Sequence, residues 1–282
     1  MRVGVSTFPT SYSIDPALLA RRAEEMGFSS FWVPEHPIIP VHTTSPFHGS
    51  PDGVIPDYYA EIVDPFVALA RASATTTTIK LATGICLVPE RNPILLAKEV
   101  ATLDRISGGR LIFGIGAGWL REETEIMGGD FDHRWGQTRD AVLAMKELWG
   151  QDEAEYHGKF YDFPPVRSFP KPLQQPNPPI YLGAWAQGNV FKRVARYGDG
   201  WMPSRSSPEE VRAGRESLVR AVEDVGRDPA SIQVLAYGVA ADRELIRAYE
   251  EAGTDEVVVR VATADEQRSL AELDSIARAV LT

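Results

Sequence analysis

The chain has 282 residues, 44% hydrophobic and 24% charged, with a formal net charge of -10, which suits one α/β unit of roughly 250 residues around a single core and leaves two unrelated domains cramped. Lys and Arg are spread thinly, which argues against a nucleic-acid or anionic-membrane partner, and no tract has the composition of a disordered tail. Cys86 is the only cysteine, so an intrachain disulfide is excluded.

No apolar run approaches the roughly 20 residues needed to span a bilayer. Met1-Arg2-Val3-Gly4-Val5 runs into a strand with no signal-peptide pattern, so the expected location is cytoplasmic.

Short β-branched runs alternate with amphipathic segments along the whole sequence, the pattern of βα units around a parallel sheet. Strands are expected near residues 2–7, 30–35, 79–87, 110–116, 178–183, 199–204, 231–239 and 255–261, each followed by a helix. This predicts one (β/α)8 TIM barrel, in the α/β class, over residues 1–282. Asp15-Pro16, Asp64-Pro65, Asn92-Pro93 and Ser207-Pro208 each pair a side-chain acceptor with a proline suited to the first helical position. Ser207 with Glu210 and Thr263 with Glu266 read as capping boxes. In the third helix Leu96, Val100 and Leu103 fall on one face, and Gly108-Gly109 ends it.

Two stretches break the rhythm. Residues 37–63 form a Pro/Gly/Ser/His-rich segment at the end of the barrel where active sites lie, consistent with a lid, a pocket wall or a passive ordered loop. Residues 155–177 read as an insertion after the fourth helix, with a hairpin at Tyr156-His157-Gly158-Lys159-Phe160-Tyr161 and then a run of prolines.

Catalytic groups of a parallel barrel stand where strands lead into helices. Glu35-His36 closes the second strand, and a carboxylate with an imidazole supplies acid/base chemistry near neutral pH; a structural hydrogen-bonding His is the plainer reading. Thr83-Gly84-Ile85-Cys86 ends the third strand, where a glycine marks a bulge or a close approach of backbone to ligand. Cys86, with no base assigned beside it, reads as a buried small hydrophobe. In Gly114-Ile115-Gly116-Ala117-Gly118-Trp119 the dinucleotide fingerprint fails, because its third glycine would fall on Trp119. A strand end with little side-chain bulk remains, either seating a planar ring or packing the barrel rim.

Trp185-Ala186-Gln187-Gly188-Asn189 opens the helix after the fifth strand and offers either an anion site or a simple cap. His36, His42 and His48 lie in a proline-rich segment with no metal-ligand spacing, so no metal is expected. A nucleophile elbow and a phosphate loop are both lacking.

Taken together, Trp32-Val33-Pro34-Glu35-His36, Ala82-Thr83-Gly84-Ile85, Arg91-Asn92-Pro93, Leu103-Asp104-Arg105-Ile106-Ser107-Gly108-Gly109-Arg110 with the glycines up to Trp119, and Gly198-Asp199-Gly200-Trp201 resemble the luciferase-like monooxygenase superfamily. The resemblance runs in order from Met1 to Trp201; the last third matches only in its βα pattern. It is nearest to actinobacterial F420-dependent oxidoreductases. It implies coenzyme F420, or alternatively FMN, at the C-terminal mouth of the barrel, backed by a strand-three bulge with a non-prolyl cis peptide at Gly84 and Ile85. Thr83, Gly84, Ile85, Gly116 and Ala117 are then the ring-side residues, and Ala186, Gln187, Gly188 and Asn189 hold the phosphate.

The same resemblance implies His36 as the proton donor or acceptor, oriented by Glu35, which replaces the commoner Asp. Sugar-phosphate dehydrogenases of the family carry a catalytic glutamate where Trp119 stands here, with Glu122 and Glu123 coming a turn later, and no matching lysine pair is present. A small apolar substrate is therefore expected, walled by Trp119, Trp185 and Trp201. The implied activity is hydride transfer at the deazaflavin C5. The alternatives are an FMN-dependent monooxygenase using reduced FMN and O2, and a non-catalytic flavin-binding barrel. Relatives of this kind imply a homodimer.

Overall fold

The structure, a computed structural model, describes residues 1–281. Its parallel strands are β1 (Arg2–Ser6), β2 (Ser30–Val33), β3 (Lys80–Thr83), β4 (Cys86–Leu87) and β5 (Leu111–Gly116). After the insertion hairpin β6 (Ala154–His157) and β7 (Asp162–Val166) come β8 (Ile180–Gly183), β9 (Gly200–Met202), β10 (Gln233–Val239) and β11 (Glu256–Arg260). The sheet runs β3-β2-β1-β11-β10-β9-β8-β5-β4, and a further β3–β5 pairing closes it. β3 and β4 are two halves of one stave, parted at Gly84 and Ile85, so the closed structure is an eight-strand (β/α)8 barrel. The expected third strand, 79–87, is thus broken in its middle.

Helices α1 (Pro16–Met26), α2 (Pro65–Ser73) and α3 (Pro93–Ile106) start as their Asp-Pro and Asn-Pro pairs dictate. Asp15 accepts from the Ala17 N–H, Asp64 from Val67, and Asn92 from Ile94 and Leu95. The strand-four unit carries two helices, α4 (Arg121–Ile126) and α5 (Arg134–Gly150), and the rest are α6 (Val190–Tyr197), α7 (Pro208–Glu223), α8 (Arg243–Glu251) and α9 (Glu266–Val280). The Ser207–Glu210 capping box is formed at α7. The Thr263–Glu266 box is not: Asp265 caps α9 by accepting from Arg268 N–H, while Thr263 Oγ1 donates to the Phe8 carbonyl. Asp competes as well as Thr for a cap, and here it stands next to the first helical residue.

Side chains alternate between two cores, as strand geometry requires. Trp32, Ala82, Ile112, Tyr181, Met202, Leu235 and Val258, one from each of seven strands, fill the barrel interior. The outward residues, Phe31, Leu81, Phe113, Leu182 and Trp201 among them, join the helices in a larger layer. Residues 37–63 contain no strand and only a 3-10 turn, Asp57–Glu61. Their aromatics Phe47 and Tyr59 pack with Phe8, and Trp119 leans on the group. Among the described residues no helix is long and apolar enough to cross a membrane.

Candidate active site

The C-terminal ends of the strands form one mouth. His36, just beyond β2, places its Nδ1 2.7 Å from Oε2 of Glu123 on α4. The His36 side chain is 8% exposed and that of Glu123 1%. With the carboxylate as acceptor, Nδ1 carries the hydrogen and Nε2 is left to exchange a proton. Tyr59 and Trp119 face the imidazole at 5.2 and 5.9 Å between ring centroids. Burial pushes the Tyr59 phenol up to about 12, so that ring is an apolar wall with a neutral hydroxyl.

The expected Glu35–His36 partnership is not formed. Glu35 Oε2 accepts from the Leu87 N–H at 2.6 Å, and Oε1 takes two donors from Arg91. Neighbouring residues of an extended segment point to opposite sides, so the dipeptide splits between two sites. Arg91 also meets Asp64 at 2.7 Å and Glu99 at 3.1 Å. Burial opposes the charge of Arg91, but Glu35 and its companions hold the guanidinium firmly protonated. Glu35 is a strut beneath the bulge. Cys86 is fully buried there, and burial, then the Glu35 charge, pushes its thiol well up, as suits an inert packing residue.

Glu122 and Glu123 divide their work. Glu122 binds the 37–63 segment through Thr44 N–H and Oγ1 at 2.5 and 2.7 Å and Ser45 Oγ at 3.1 Å. Glu123 turns inward to His36. Behind it Glu90, also buried, accepts from Thr124 Oγ1 at 2.9 Å. Burial, and then the charge of Glu123, pushes the Glu90 carboxyl up to about 8. One oxygen of each carboxylate, Glu90 Oε2 and Glu123 Oε1, is buried without a hydrogen-bond partner.

The Gly84–Ile85 peptide is cis. Ile85 points over the glycines of the neighbouring strands: a Cβ on Gly116 would fall 1.8 Å from Ile85 Cδ1, and one on Gly183 2.7 Å from Ile85 Cγ2. This amends the expectation for strand four. Gly116 does not present bare backbone; it makes room for Ile85, whose side chain is the apolar platform. Gly114 serves strand spacing, since a Cβ there would meet the Thr83 carbonyl oxygen at 2.0 Å. The Thr83 hydroxyl is spent on the Gly114 carbonyl at 2.7 Å, and Ala117 is buried. Both shape the wall without presenting a polar group.

At the start of α6 the first intrahelical bond runs from Arg193 N–H to the Asn189 carbonyl, and the Asn189 side chain caps nothing. The N–H groups of the first turn are thus available beside exposed Gln187, Gly188 and Asn189 and half-buried Ala186. Trp185, 41% exposed, meets His48 edge-on at 5.1 Å, so it belongs to the rim. Trp201 does not line the mouth. It is fully buried between α6 and α7, 5.0 Å from the Phe191 ring centroid, with a Cβ on Gly214 falling 2.3 Å from its ring and Nε1 donating to the Ala184 carbonyl. In β9 it is Met202 that faces inward, and alternation sends Trp201 out.

The mouth fits a planar heteroaromatic ring with an anionic tail. Ile85 offers an apolar face. Tyr237 OH, which a Cβ on Gly84 would touch at 2.7 Å, and Ser6 Oγ are buried hydroxyls within reach of each other that suit ring carbonyl or N–H groups. The α6 start suits a phosphate. Among the described residues no group of three or more His, Cys, Asp and Glu side chains is placed to hold a metal ion.

The chain matches the family model described as luciferase-like monooxygenase over residues 15–275. It is 38% identical over 263 residues to the uncharacterized protein Rv0953c of Mycobacterium tuberculosis, covering 92% of this chain and 91% of that protein. Its fold is similar to that of monooxygenase RslO1 from Streptomyces bottropensis, with a TM-score of 0.79 and 21% identity over 100% of this chain and 99% of that one. It is similar too to the coenzyme F420-dependent tetrahydromethanopterin reductase from Methanopyrus kandleri, with a TM-score of 0.77 and 18% identity over 99% and 98% of the two chains. The chain belongs to the luciferase-like monooxygenase family.

Proposed function

We propose that this protein is an F420-dependent oxidoreductase that moves a hydride between its cofactor and a small organic substrate, with His36 handling the accompanying proton. The observation that carries the reading is the His36–Glu123 pair at the rim beside the Ile85 platform. When bound, the deazaflavin supplies hydride chemistry at C5. Thr83, Gly84, Ile85, Gly116 and Ala117 form the wall that would back its ring, and Ala186–Asn189 with the free N–H groups of α6 would hold its phosphate.

The chain's own work is proton management. Reduction of a carbon–heteroatom bond needs a proton at the heteroatom, and oxidation needs one removed. His36 Nε2 exchanges that proton while Glu123 stabilises the imidazolium on the Nδ1 side. Phe47, Tyr59 and Trp119 keep bulk water from the imidazole, which strengthens the His36–Glu123 interaction.

A second reading, an FMN-dependent monooxygenase, is favoured by the likeness to RslO1. Titration of the purified protein with F420 and with FMN, followed by fluorescence quenching, separates the two. Tight FMN binding without F420 binding overturns the F420 reading.

A further inference from the structure

Arg260 ends β11, in register with Ser6 at the end of β1. Its Nη2 donates to Tyr58 OH at 2.9 Å, and the guanidinium lies over the rings of Phe8 at 4.2 Å and Tyr58 at 5.2 Å. Its Nε is buried and has no partner. Among the described residues no carboxylate pairs with Arg260.

Arg91, half-buried like Arg260, and the buried Arg110 are treated differently. Arg91 lies among Glu35, Asp64 and Glu99. Arg110 spends its donors on Ser107, Ser73, Thr76 and Ile79. A guanidinium offers five N–H donors, so Arg260 keeps most of its own while sitting partly out of water with no counter-charge. A half-buried guanidinium with donors to spare and no carboxylate beside it is a ready partner for an anion. Thr7 Oγ1, just past the end of the adjacent β1, is a buried hydroxyl that likewise lacks a partner.

The position distinguishes this group from the phosphate-holding α6 start. α6 follows β8, and β8 lies three strands from β11, beyond β10 and β9, and five strands the other way round the closed sheet, so the two stand apart on the rim. Arg260 stands instead on the His36 side, linked through Tyr58 to Tyr59 at 5.1 Å and from Tyr59 to His36 at 5.2 Å.

We propose that Arg260 anchors a carboxylate of the substrate, so that the enzyme acts on small organic carboxylates whose apolar body lies against the aromatic rings beside His36. This rests on the functional reading above and amends the wholly apolar pocket: its walls are apolar, with one cationic point. A carboxylate on the cofactor itself is the other source of the same chemistry.

The test is calorimetric titration of the purified chain with benzoate and with its uncharged isostere benzamide, alongside quenching titrations with F420 and FMN. Benzoate is expected to bind about tenfold or more tighter than benzamide, the worth of a charge-assisted hydrogen bond. Arg260→Gln should lose about that factor for benzoate, and Arg260→Lys only part of it, with cofactor affinity kept in both. Equal binding of benzoate and benzamide by the unaltered protein overturns the proposal and needs no variant to fold. So does an Arg260→Gln protein, folded by its melting curve, that keeps its benzoate affinity. If instead Arg260→Gln weakens cofactor binding as much as benzoate binding, the arginine serves the cofactor and the proposal falls. Failure of both cofactors to bind, with the benzoate pattern intact, would sink the cofactor reading and leave the anchor standing.

Discussion

His36 and Glu123 meet Nδ1 to Oε2 at 2.7 Å although 87 positions separate them in the sequence. In the proposed mechanism Glu123 is the partner that stabilises an imidazolium at the mouth of the barrel. His36→Asn should lower turnover about 100-fold or more, within the range for loss of a general acid or base, while cofactor affinity stays near that of the parent. Glu123→Gln keeps the acceptor for Nδ1 but removes the negative charge, so turnover should fall about tenfold or more. Steady-state kinetics with the cofactor that binds checks both; a Glu123→Gln enzyme with unchanged kcat would remove Glu123 from the mechanism.

Glu35 should behave as a structural residue. Its carboxylate holds Arg91 and the Leu87 N–H from within the fold. Glu35→Gln leaves the guanidinium with fewer counter-charges in a buried site, at a cost of about 3 kcal/mol. Asp64 and Glu99 still contact Arg91, which keeps the loss from being larger. A melting curve should fall by several degrees, since a domain of this size shifts about 2–4 °C per kcal/mol. A large loss of kcat with an unchanged melting temperature would restore Glu35 to the chemistry.

The barrel was legible because its signals are local. Alternating strands and the Asp-Pro and Asn-Pro helix starts act within a few residues, and Asp15, Asp64 and Asn92 cap as their neighbours predict. The site was legible where one strand end carries it, as at His36 and the Gly84–Ile85 bulge. What failed depended on direction or on distance along the chain. Adjacency suggested Glu35 for His36, but adjacent side chains diverge. Trp201 belongs to a motif of the family, yet strand alternation turns it into the helix layer. Glu123 was in view as a nearby glutamate, but only the fold of the segment from Gly118 (φ 81°) through the short α4 brings it back to β2. Arg260 had no motif at all; the signal was a lone cation closing the last strand, Glu256–Arg260.

Gly116 and Ile85 should prove coupled. Gly116→Ala puts a Cβ 1.8 Å from the present position of Ile85 Cδ1. Ile85 must turn its Cδ1 aside, at a cost of about 1 kcal/mol, the low end for overpacking, because the clashing atom is the free end of the side chain. The apolar platform moves with it, so ring binding should weaken about tenfold or more. Truncating the clashing group relieves the strain: the double variant Gly116→Ala with Ile85→Ala should be more stable than Gly116→Ala alone. Melting temperatures of the two singles and the double form the cycle, and additivity would show that the contact carries no coupling.

Glu90 should impose a pH dependence on stability that its amide removes. The folded carboxyl is pushed up to about 8 by burial and by the charge of Glu123, with Glu35 adding to the effect and Thr124 and Arg91 opposing it, from an ordinary value of 4.5. Below the ordinary value both folded and unfolded chains hold the proton and Glu90 costs nothing. Between there and about 8 the unfolded chain releases its proton while the folded chain keeps it, so stability falls as pH rises through this window. Above about 8 both forms are ionised and the loss, on the order of a few kcal/mol, is complete. Glu90→Gln keeps an acceptor for Thr124 Oγ1 and has nothing to titrate. The variant's stability relative to the parent should therefore be smallest near pH 5, increase steadily to about pH 8 and then level off. Melting curves of the two proteins across that range measure the difference directly, with the other titrating groups common to both. A gap that stays constant with pH would mean that Glu90 ionises in the folded protein as it does in the unfolded chain, with Arg91 and His36 carrying the compensating charge for the two carboxylates.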